Sequence, residues 1–294
     1  MAAVDLDRLR IGFIGAGRLG TALAWSLASR GLQVVGAASR QPASALALAG
    51  PIEGCRVLAP QALVDACDLV FVTTPDAAIA ATVDACRWRE GVAVVHCSGV
   101  TEVAALGSAA AQGARTGGFH PMQTFGDPAT AARSLPGCTI TIEAAEPLDA
   151  LLVALAGRLQ CRVNRLPPGM RAQYHAAAGY TSQFVNVLFA EAAALWRGWG
   201  ASEAQAVEAL LPLARGTLEA IASAGIARAM PGPVSRGDVG SIEKHLEAIA
   251  PLGDERLALY RSLCRATVPL ALERGAIDAA RAAQFDRVLG PSSR

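Results

Sequence analysis

Short apolar runs alternate with longer amphipathic stretches through the first half of the chain. Runs at residues 10–14, 32–38, 56–58, 69–73, 91–96, 117–119, 138–142 and 162–165 predict strands. Ala- and Leu-rich segments at about 18–30, 76–87, 101–112 and 146–159 predict helices between most of them. Alternation at this spacing reads as a doubly wound, mostly parallel sheet. The strands are unbroken apolar runs such as Leu69-Val70-Phe71-Val72. That pattern fits strands covered on both faces rather than on one.

The pattern changes after Pro167-Pro168-Gly169. Beyond it the periodicity is helical, with segments at about 170–197, 202–224, 241–249, 254–273 and 276–289. Ser202 with Gln205 has the form of a capping box for the second, and Ser241 reads as the cap of the third. The expected fold is therefore an α/β Rossmann-type doubly wound sheet over residues 1–167, followed by an all-α domain over 168–294. No internal repeat interrupts this plan.

Composition narrows the class. The chain has 294 residues, 52% of them hydrophobic and 17% charged, which excludes intrinsic disorder. A net charge of +1 leaves no electrostatic footprint for nucleic acid or an anionic membrane. Gly, Pro, Arg or Asp interrupts every apolar run well short of the roughly 18 residues a membrane span needs. The opening Met1–Arg10 is charged and runs straight into the first strand, so no leader peptide is expected. The seven cysteines are odd in number and form no C-x-x-C pair, which points to reduced thiols in a cytoplasmic protein. Lys244 is the only lysine, and this removes most candidates for a catalytic amine.

The strongest local signal is Ile11-Gly12-Phe13-Ile14-Gly15-Ala16-Gly17-Arg18-Leu19-Gly20. It is a G-x-G-x-x-G fingerprint in its required setting, after a first strand and opening a helix. Gly15 permits the tight turn, Gly17 lets the backbone approach a pyrophosphate, and Gly20 lets helix and strand pack closely. Unpaired N–H groups from Ala16, Arg18 and Leu19 at the helix start suit phosphate oxygens. An NAD site usually places Asp or Glu at the end of the second strand. Here no acidic residue occurs between Asp7 and Glu53, and the second strand ends in Ser39-Arg40. A hydroxyl and a guanidinium suit a 2′-phosphate, so NADP(H) is the expected cofactor. Thr73-Thr74-Pro75, at the end of the fourth strand, should line the same cleft.

Four histidines carry the candidate chemistry: His96, His120, His175 and His245. Hydride transfer to C=O or C=N needs a proton donor near the new oxygen or nitrogen, and histidine titrates in the right range. His175 on the first helix of the second domain is the first candidate, His120 the second; either can equally be a structural histidine. Ser98, in His96-Cys97-Ser98-Gly99, either offers its hydroxyl to substrate or caps the following helix. His96, Gln123, Tyr174, Gln183 and Arg236 are candidate substrate contacts, Arg236 through a bidentate grip on a carboxylate or phosphate. No histidine pair shows metal-ligand spacing, so no metal is expected.

Taken in order, the glycine fingerprint, Thr73-Thr74-Pro75-Asp76, His96-Cys97-Ser98-Gly99, Phe119-His120-Pro121-Met122-Gln123, Tyr174-His175-Ala176-Ala177 and Gly232-Pro233-Val234-Ser235-Arg236-Gly237-Asp238 resemble a family. It is the bacterial Rossmann-like oxidoreductases with a helical C-terminal domain of unknown function. More distantly the chain is similar to pyrroline-5-carboxylate reductases, ketopantoate reductases and deazaflavin-dependent NADP reductases. The resemblance implies an NADP-binding domain, a helical domain that dimerises, and a substrate cleft between the two. Ketopantoate reductases use a lysine on the first helix after the nucleotide domain; here that helix carries His175. Where the family often has Ser-Asn, this chain has Ser182-Gln183.

The expected activity is NADP-dependent hydride transfer to or from a small carbonyl, hydroxyl or imine compound, in a homodimer. The alternative is an NADP-binding sensor or partner protein without turnover, because this fold alone does not prove catalysis.

Overall fold

The computed structural model describes residues 5–291. The residues Met1–Val4 of the expected leaderless start lie outside that range. The chain divides between Ser182 and Gln183 into two compact units.

The first unit is built on one eight-stranded sheet. Its strands are β1 (Arg10–Ile14), β2 (Gln33–Ala38), β3 (Arg56–Val57), β4 (Leu69–Val72), β5 (Ala93–His96), β6 (Arg115–Pro121), β7 (Thr139–Ala144) and β8 (Arg162–Arg165). The order across the sheet is β3-β2-β1-β4-β5-β6-β7-β8. All neighbours run parallel except β6 and β7. All eight strands fall where the apolar runs place them. The order reverses between β1 and β4, so their carboxyl ends open the crevice in which doubly wound sheets bind ligands.

One face of the sheet packs through the stacked rings of Phe13 and Phe71, with centroids 5.1 Å apart, and Phe119 edge-on to Phe71. The opposite face buries Ile14, Val70, Val72 and Val94 under Leu63, Val83 and Leu106. Three helices not expected from the pattern, Pro42–Ala49, Pro60–Ala66 and Pro128–Ser134, each begin at a proline. Proline suits the first helical position, where its missing N–H leaves no bond unmade. These helices run eight residues or fewer, too short for the apolar period to stand out.

The expected boundary at 167 and the observed division at 182 differ by one helix, Arg171–Tyr180. That helix packs with the sheet because its first residue is buried there. Arg171 has no exposed side-chain surface, and its Nε donates to Glu143 of β7 at 2.6 Å. Its Nη1 donates to the Ser98 carbonyl at 2.8 Å, just past β5. The single long helix expected over 170–197 is interrupted after Tyr180 and resumes as Gln183–Trp196.

The second unit is all helical among the described residues. Its longer helices are Gln183–Trp196, Glu203–Ala224, Val239–Ile249, Asp254–Glu273 and Ala279–Leu289. The capping box of Ser202 and Gln205 forms as the sequence indicates. Ser241 is not the cap of its helix. Asp238 is, accepting from the Ser241 N–H at 3.0 Å and its hydroxyl at 2.5 Å. A carboxylate offers two acceptor oxygens where a hydroxyl offers one, so the helix starts two residues earlier than expected, at Val239. Ile242, Leu246, Cys264, Val268 and Phe285 form this unit's core.

Removing one member of a buried ion pair strands the other charge, at roughly 3–5 kcal/mol. Arg171→Met is expected to lower unfolding free energy by that amount in guanidinium titrations. Adding Glu143→Gln should recover part of it. A loss under about 1 kcal/mol in the single variant would show that this pair does not pin the helix.

Candidate active site

Two edges of the first unit carry candidate chemistry. The first surrounds the β1 turn. Gly15 has φ +108°, a left-handed conformation that glycine alone adopts without strain, and its N–H donates to the Ala38 carbonyl at 2.8 Å. A Cβ there would meet the Thr73 carbonyl carbon at 2.5 Å. A Cβ on Gly20 would meet the Thr73 hydroxyl, also at 2.5 Å. That hydroxyl donates to the Gly15 carbonyl at 2.6 Å, which ties the β1 turn to the end of β4. Gly17 differs from both, because a Cβ on it would enter open space. Gly17 caps helix Arg18–Ala28, whose first N–H groups therefore face a groove of about 640 Å³. Gly15, Ala16, Gly17, Ser39, Arg40, Thr73, Thr74 and Pro75 line it, with Ala78 and Ala81. Arg40 is exposed at its rim and forms no ion pair among the described residues. The expected contacts Arg18 and Leu19 sit at the helix start but not on the lining, Arg18 being exposed.

The second edge is a grid of polar residues on the sheet face that also bears Val94. Register places His96 beside Gly118 and Gly118 beside Glu143, in one row across β5, β6 and β7. Two residues further on, His120, Thr141 and Asn164 form a second row across β6, β7 and β8. Side chains of paired residues stand on the same face, and so do residues two apart on one strand. Helix Arg171–Tyr180 lies over both rows. Arg171 enters the first, and Tyr174, three residues on, enters the second.

Gly118 is what admits Arg171: any Cβ there would overlap the guanidinium Nη2. The Tyr174 hydroxyl meets His120 Nδ1 at 2.7 Å. The His120 Nε2 and the His175 ring converge on the Gly99 backbone. A Cβ on Gly99 would lie 3.0 Å from His120 Nε2 and 2.5 Å from His175 Cδ2. The two histidine rings are 6.3 Å apart, edge to face. His175 is exposed and His120 half-buried, so this corner pairs one solvated imidazole with one shielded imidazole.

The electrostatics favour neutral histidines. Burial pushes His120 down to about 4, helped by His175 and by the Arg171 charge. Burial pushes His96 down to about 3, again with Arg171 and then His120, while the Glu102 backbone pulls weakly upward. Arg171 is a fixed positive charge in low dielectric, and protonating a histidine beside it would add a second. Burial raises the Tyr174 phenol, so it stays protonated.

Several expected contacts are engaged within their own segments or belong to the second unit. His96 is fully buried, and its Nδ1 accepts from the Ser98 N–H at 3.2 Å. Ser98 is also buried, and its hydroxyl accepts from the N–H groups of Val100 and Thr101. The hydroxyl closes a turn and caps no helix, because the next helical turn begins at Val103 with Glu102 as its N-cap. Gln123 accepts from the Thr124 N–H and donates to the Ser134 carbonyl at the end of helix Pro128–Ser134. Gln183 and Arg236 belong to the second unit, both exposed. The site residues not singled out in the sequence are Arg171, Glu143, Thr141 and Asn164. One signal was present: Thr139, Thr141 and Glu143 alternate with Ile140 and Ile142, marking a strand with one polar face. Among the described residues, no group of three or more His, Cys, Asp or Glu could hold a metal ion. Nor is any described helix long and apolar enough to cross a membrane.

Residues 10–98 match the family described as NADP oxidoreductase, coenzyme F420-dependent, and residues 138–267 match a domain of unknown function, DUF2520. Among solved structures, the chain is similar to a Bacteroides fragilis protein whose name assigns it to the NADP oxidoreductases. The two share 28% identity over 90% of this chain and 100% of that one, with a TM-score of 0.71. A reductive aminase from Aspergillus terreus, solved with NADPH4, cyclohexanone and allyl amine, shares 19% identity. It matches over 94% of this chain and 99% of its own, with a TM-score of 0.64. The Plasmodium falciparum pyrroline carboxylate reductase with NADP bound shares 13%, over 96% and 100%, with a TM-score of 0.58. Among curated proteins, none matches the sequence.

The buried histidines make stability depend on pH. Their folded values lie below the ordinary 6.5, so as pH falls below 6.5 the unfolded chain takes up protons first. Stability is therefore full above about pH 7 and is lost as pH falls toward 4. The slope is about 1.4 kcal/mol per pH unit for His96 alone. Denaturant titrations between pH 6.5 and 4.5 should show at least this slope, because His120 adds to it, and His96→Asn should lower it by about the His96 share. An equal slope in the variant would mean that His96 is not held neutral.

Proposed function

We propose that this chain, an NADP-oxidoreductase domain followed by the helical domain of unknown function, transfers a hydride between NADP(H) and a small carbonyl or imine compound. The observation that carries this reading is a division of labour at the carboxyl ends of the strands. An open groove lined by Gly15, Gly17, Ser39 and Arg40 stands at β1, β2 and β4, and a pair of histidines over Gly99 stands beyond β5 and β6.

The residues present fit the dinucleotide. Gly17 leaves open the space that a pyrophosphate would take, at a helix N-terminus that favours anions. Ser39 and Arg40 receive the 2′-phosphate at the end of β2, where no carboxylate stands to repel it. When bound, the cofactor supplies or accepts the hydride. The rest is done by the protein's own side chains. His175, in contact with solvent, exchanges the proton that accompanies the hydride. His120, held neutral, orients the substrate's heteroatom. Tyr174 supports His120 and does not itself touch substrate. The fold likeness to the reductive aminase and the pyrroline carboxylate reductase accords with a C=N or C=O substrate.

The second unit is read as a dimerisation domain. Phe184 and Leu188 lie one turn apart on helix Gln183–Trp196, and Leu211 and Leu218 two turns apart on Glu203–Ala224. All four expose more than a third of their surface. A second copy is the occupant this reading assigns to that face. The free thiols fit a cytoplasmic setting.

Nucleotide titrations test the cofactor. NADPH should raise the melting temperature more than NADH does. Arg40→Ala should weaken NADPH roughly 10–100-fold, the range for a charge-assisted hydrogen bond. Gly17→Ala should cost the unliganded protein only about 0.5–1 kcal/mol while abolishing the nucleotide shift. No shift with any nucleotide in the parent protein would sink the reading.

For the chemistry, His175→Ala should lower turnover roughly 10²–10⁴-fold and leave NADPH affinity unchanged. For assembly, light scattering at micromolar concentration should give about twice the chain mass of 30.1 kDa. A monomer would end the dimer reading.

A further inference from the structure

Away from the polar grid, the far edge of the sheet sets two sulfurs against each other. We propose that Cys138 and Cys161 are a modification site: a hydroperoxide oxidises this dithiol to an intramolecular disulfide, and a thiol reductant restores it. The site is independent of the oxidoreductase reading and stands whether or not NADP(H) binds.

The backbone brings the pair together. Cys138 immediately precedes β7, and Cys161 immediately precedes β8. The first paired residues of these parallel strands are Thr139 and Arg162, so the two cysteines share the next position back in register. A hydrogen bond brackets them on each side. The Gly137 N–H donates to the Gln160 carbonyl at 2.8 Å, and the Arg162 N–H donates to the Cys138 carbonyl at 2.8 Å. Register partners on neighbouring strands turn their side chains to the same face. Here it is the face of Ile140, Ile142 and Val163, opposite to the one that bears Thr141 and Asn164.

The two Sγ atoms are 3.6 Å apart. A disulfide needs about 2.05 Å between sulfurs and roughly 4.4–6.8 Å between α-carbons. Neighbouring strands lie about 4.8 Å apart, inside that window, so side-chain rotation closes the gap without moving the strands. No other two cysteine sulfurs are in contact among the described residues. Cys67, Cys86, Cys97 and Cys264 are buried, whereas Cys138 and Cys161 are half-buried, within reach of a small oxidant. Cys55 is half-buried too, but burial pushes its thiol up to about 11, and it has no partner sulfur.

The surroundings give the two sulfurs different parts. Cys161 Sγ lies 3.1 Å from the Leu135 carbonyl oxygen and 3.6 Å from that of Leu159. Two carbonyl oxygens favour a thiol, which donates to them, and disfavour a thiolate, which they repel. Cys138 Sγ meets no carbonyl oxygen among the described residues, and a thiolate there accepts the Cys161 proton. The acidities agree with this geometry. The contact between the thiols lowers Cys138 and raises Cys161, with the Arg30 charge opposing the second weakly.

Cys138 is therefore the attacking sulfur. Its thiolate attacks the hydroxyl oxygen of the hydroperoxide; an S–O bond forms and the O–O bond breaks. The departing oxygen takes a proton and leaves as water or an alcohol. Cys161 then attacks the Cys138 sulfenic acid; an S–S bond forms, the S–O bond breaks, and the hydroxide leaves as water with the Cys161 proton. Two thiols have lost two protons and two electrons, and the peroxide has gained them.

The test uses the full chain without ligand. Reduced protein is treated with a few-fold excess of hydrogen peroxide at neutral pH, alkylated in denaturant and digested with trypsin. Cleavage after Arg133, Arg158 and Arg162 puts Cys138 in peptide 134–158 and Cys161 in peptide 159–162. The parent should lose two of its seven alkylatable thiols, yield these two peptides joined, and regain both thiols with dithiothreitol. Cys161→Ser removes the second thiol, so Cys138 should stop at the sulfenic acid and take up dimedone on peptide 134–158. Cys138→Ser should leave Cys161 without dimedone at the same dose. Seven thiols retained in the parent, thiols lost without the joined peptides, or a bond to another cysteine or a second chain overturns the proposal. Equal dimedone uptake in the two variants overturns the choice of Cys138 as the attacking sulfur.

Discussion

The candidate site depends on one buried cation. Arg171 reaches under helix Arg171–Tyr180 into a space that exists only because residue 118 is glycine. There it holds Glu143 of β7 and the carbonyl of Ser98 after β5. Three separated segments are fixed by one guanidinium. The helix is pinned at its first turn, which sets where Tyr174 and His175 fall. The turn that presents Gly99 is pinned through its backbone. Burial, with this positive charge as a lesser contribution, keeps the neighbouring imidazoles neutral. A buried ion pair adds little net stability over a well-packed apolar pair. Its use here is to select one arrangement among several that an apolar contact of the same volume would permit.

That constraint explains why the first helix after the sheet belongs to the first unit. The turn-forming Pro167-Pro168-Gly169 looked like a domain boundary, and by composition it is one. But a charge 28 residues on from Glu143 reaches back into the sheet, and the helix follows it. The family matches cut across the unit in the same way. The stretch from residue 138 onward includes β7 and β8 of the sheet, while His96 and Ser98 lie in the stretch that ends at 98. His120 lies between the two. The polar grid and its histidine corner are therefore assembled from both matched segments and the connection that joins them, with Gly99 and His120 in the connection.

Local rules made part of this legible. Unbroken apolar runs found the central strands β4 and β5, shorter or alternating runs found the outer ones, and the glycine fingerprint found the β1 turn, because all depend on neighbours in sequence. His120 and His175 stood out because the chain has only four histidines. Arg171 was hidden for the opposite reason, as one of many arginines with nothing in its own neighbourhood to mark it as buried. The proline-led helices were too short for periodicity to show. Ser98 and Gln123 were chemically plausible, but their polar atoms serve the turns they sit in. A sequence shows which groups are available; only tertiary contacts show which are already engaged.

The three glycines of the fingerprint are not equivalent in what holds them in place. Gly15 and Gly20 are confined by the protein's own atoms, chiefly those of Thr73, while Gly17 is confined by nothing in the chain. Folding alone therefore preserves the first and the last. In a lineage that stopped using a dinucleotide, Gly17 would be free to drift while its neighbours stayed fixed. The middle glycine is thus the position whose evolutionary history records ligand use, and the outer two record only that the turn still closes.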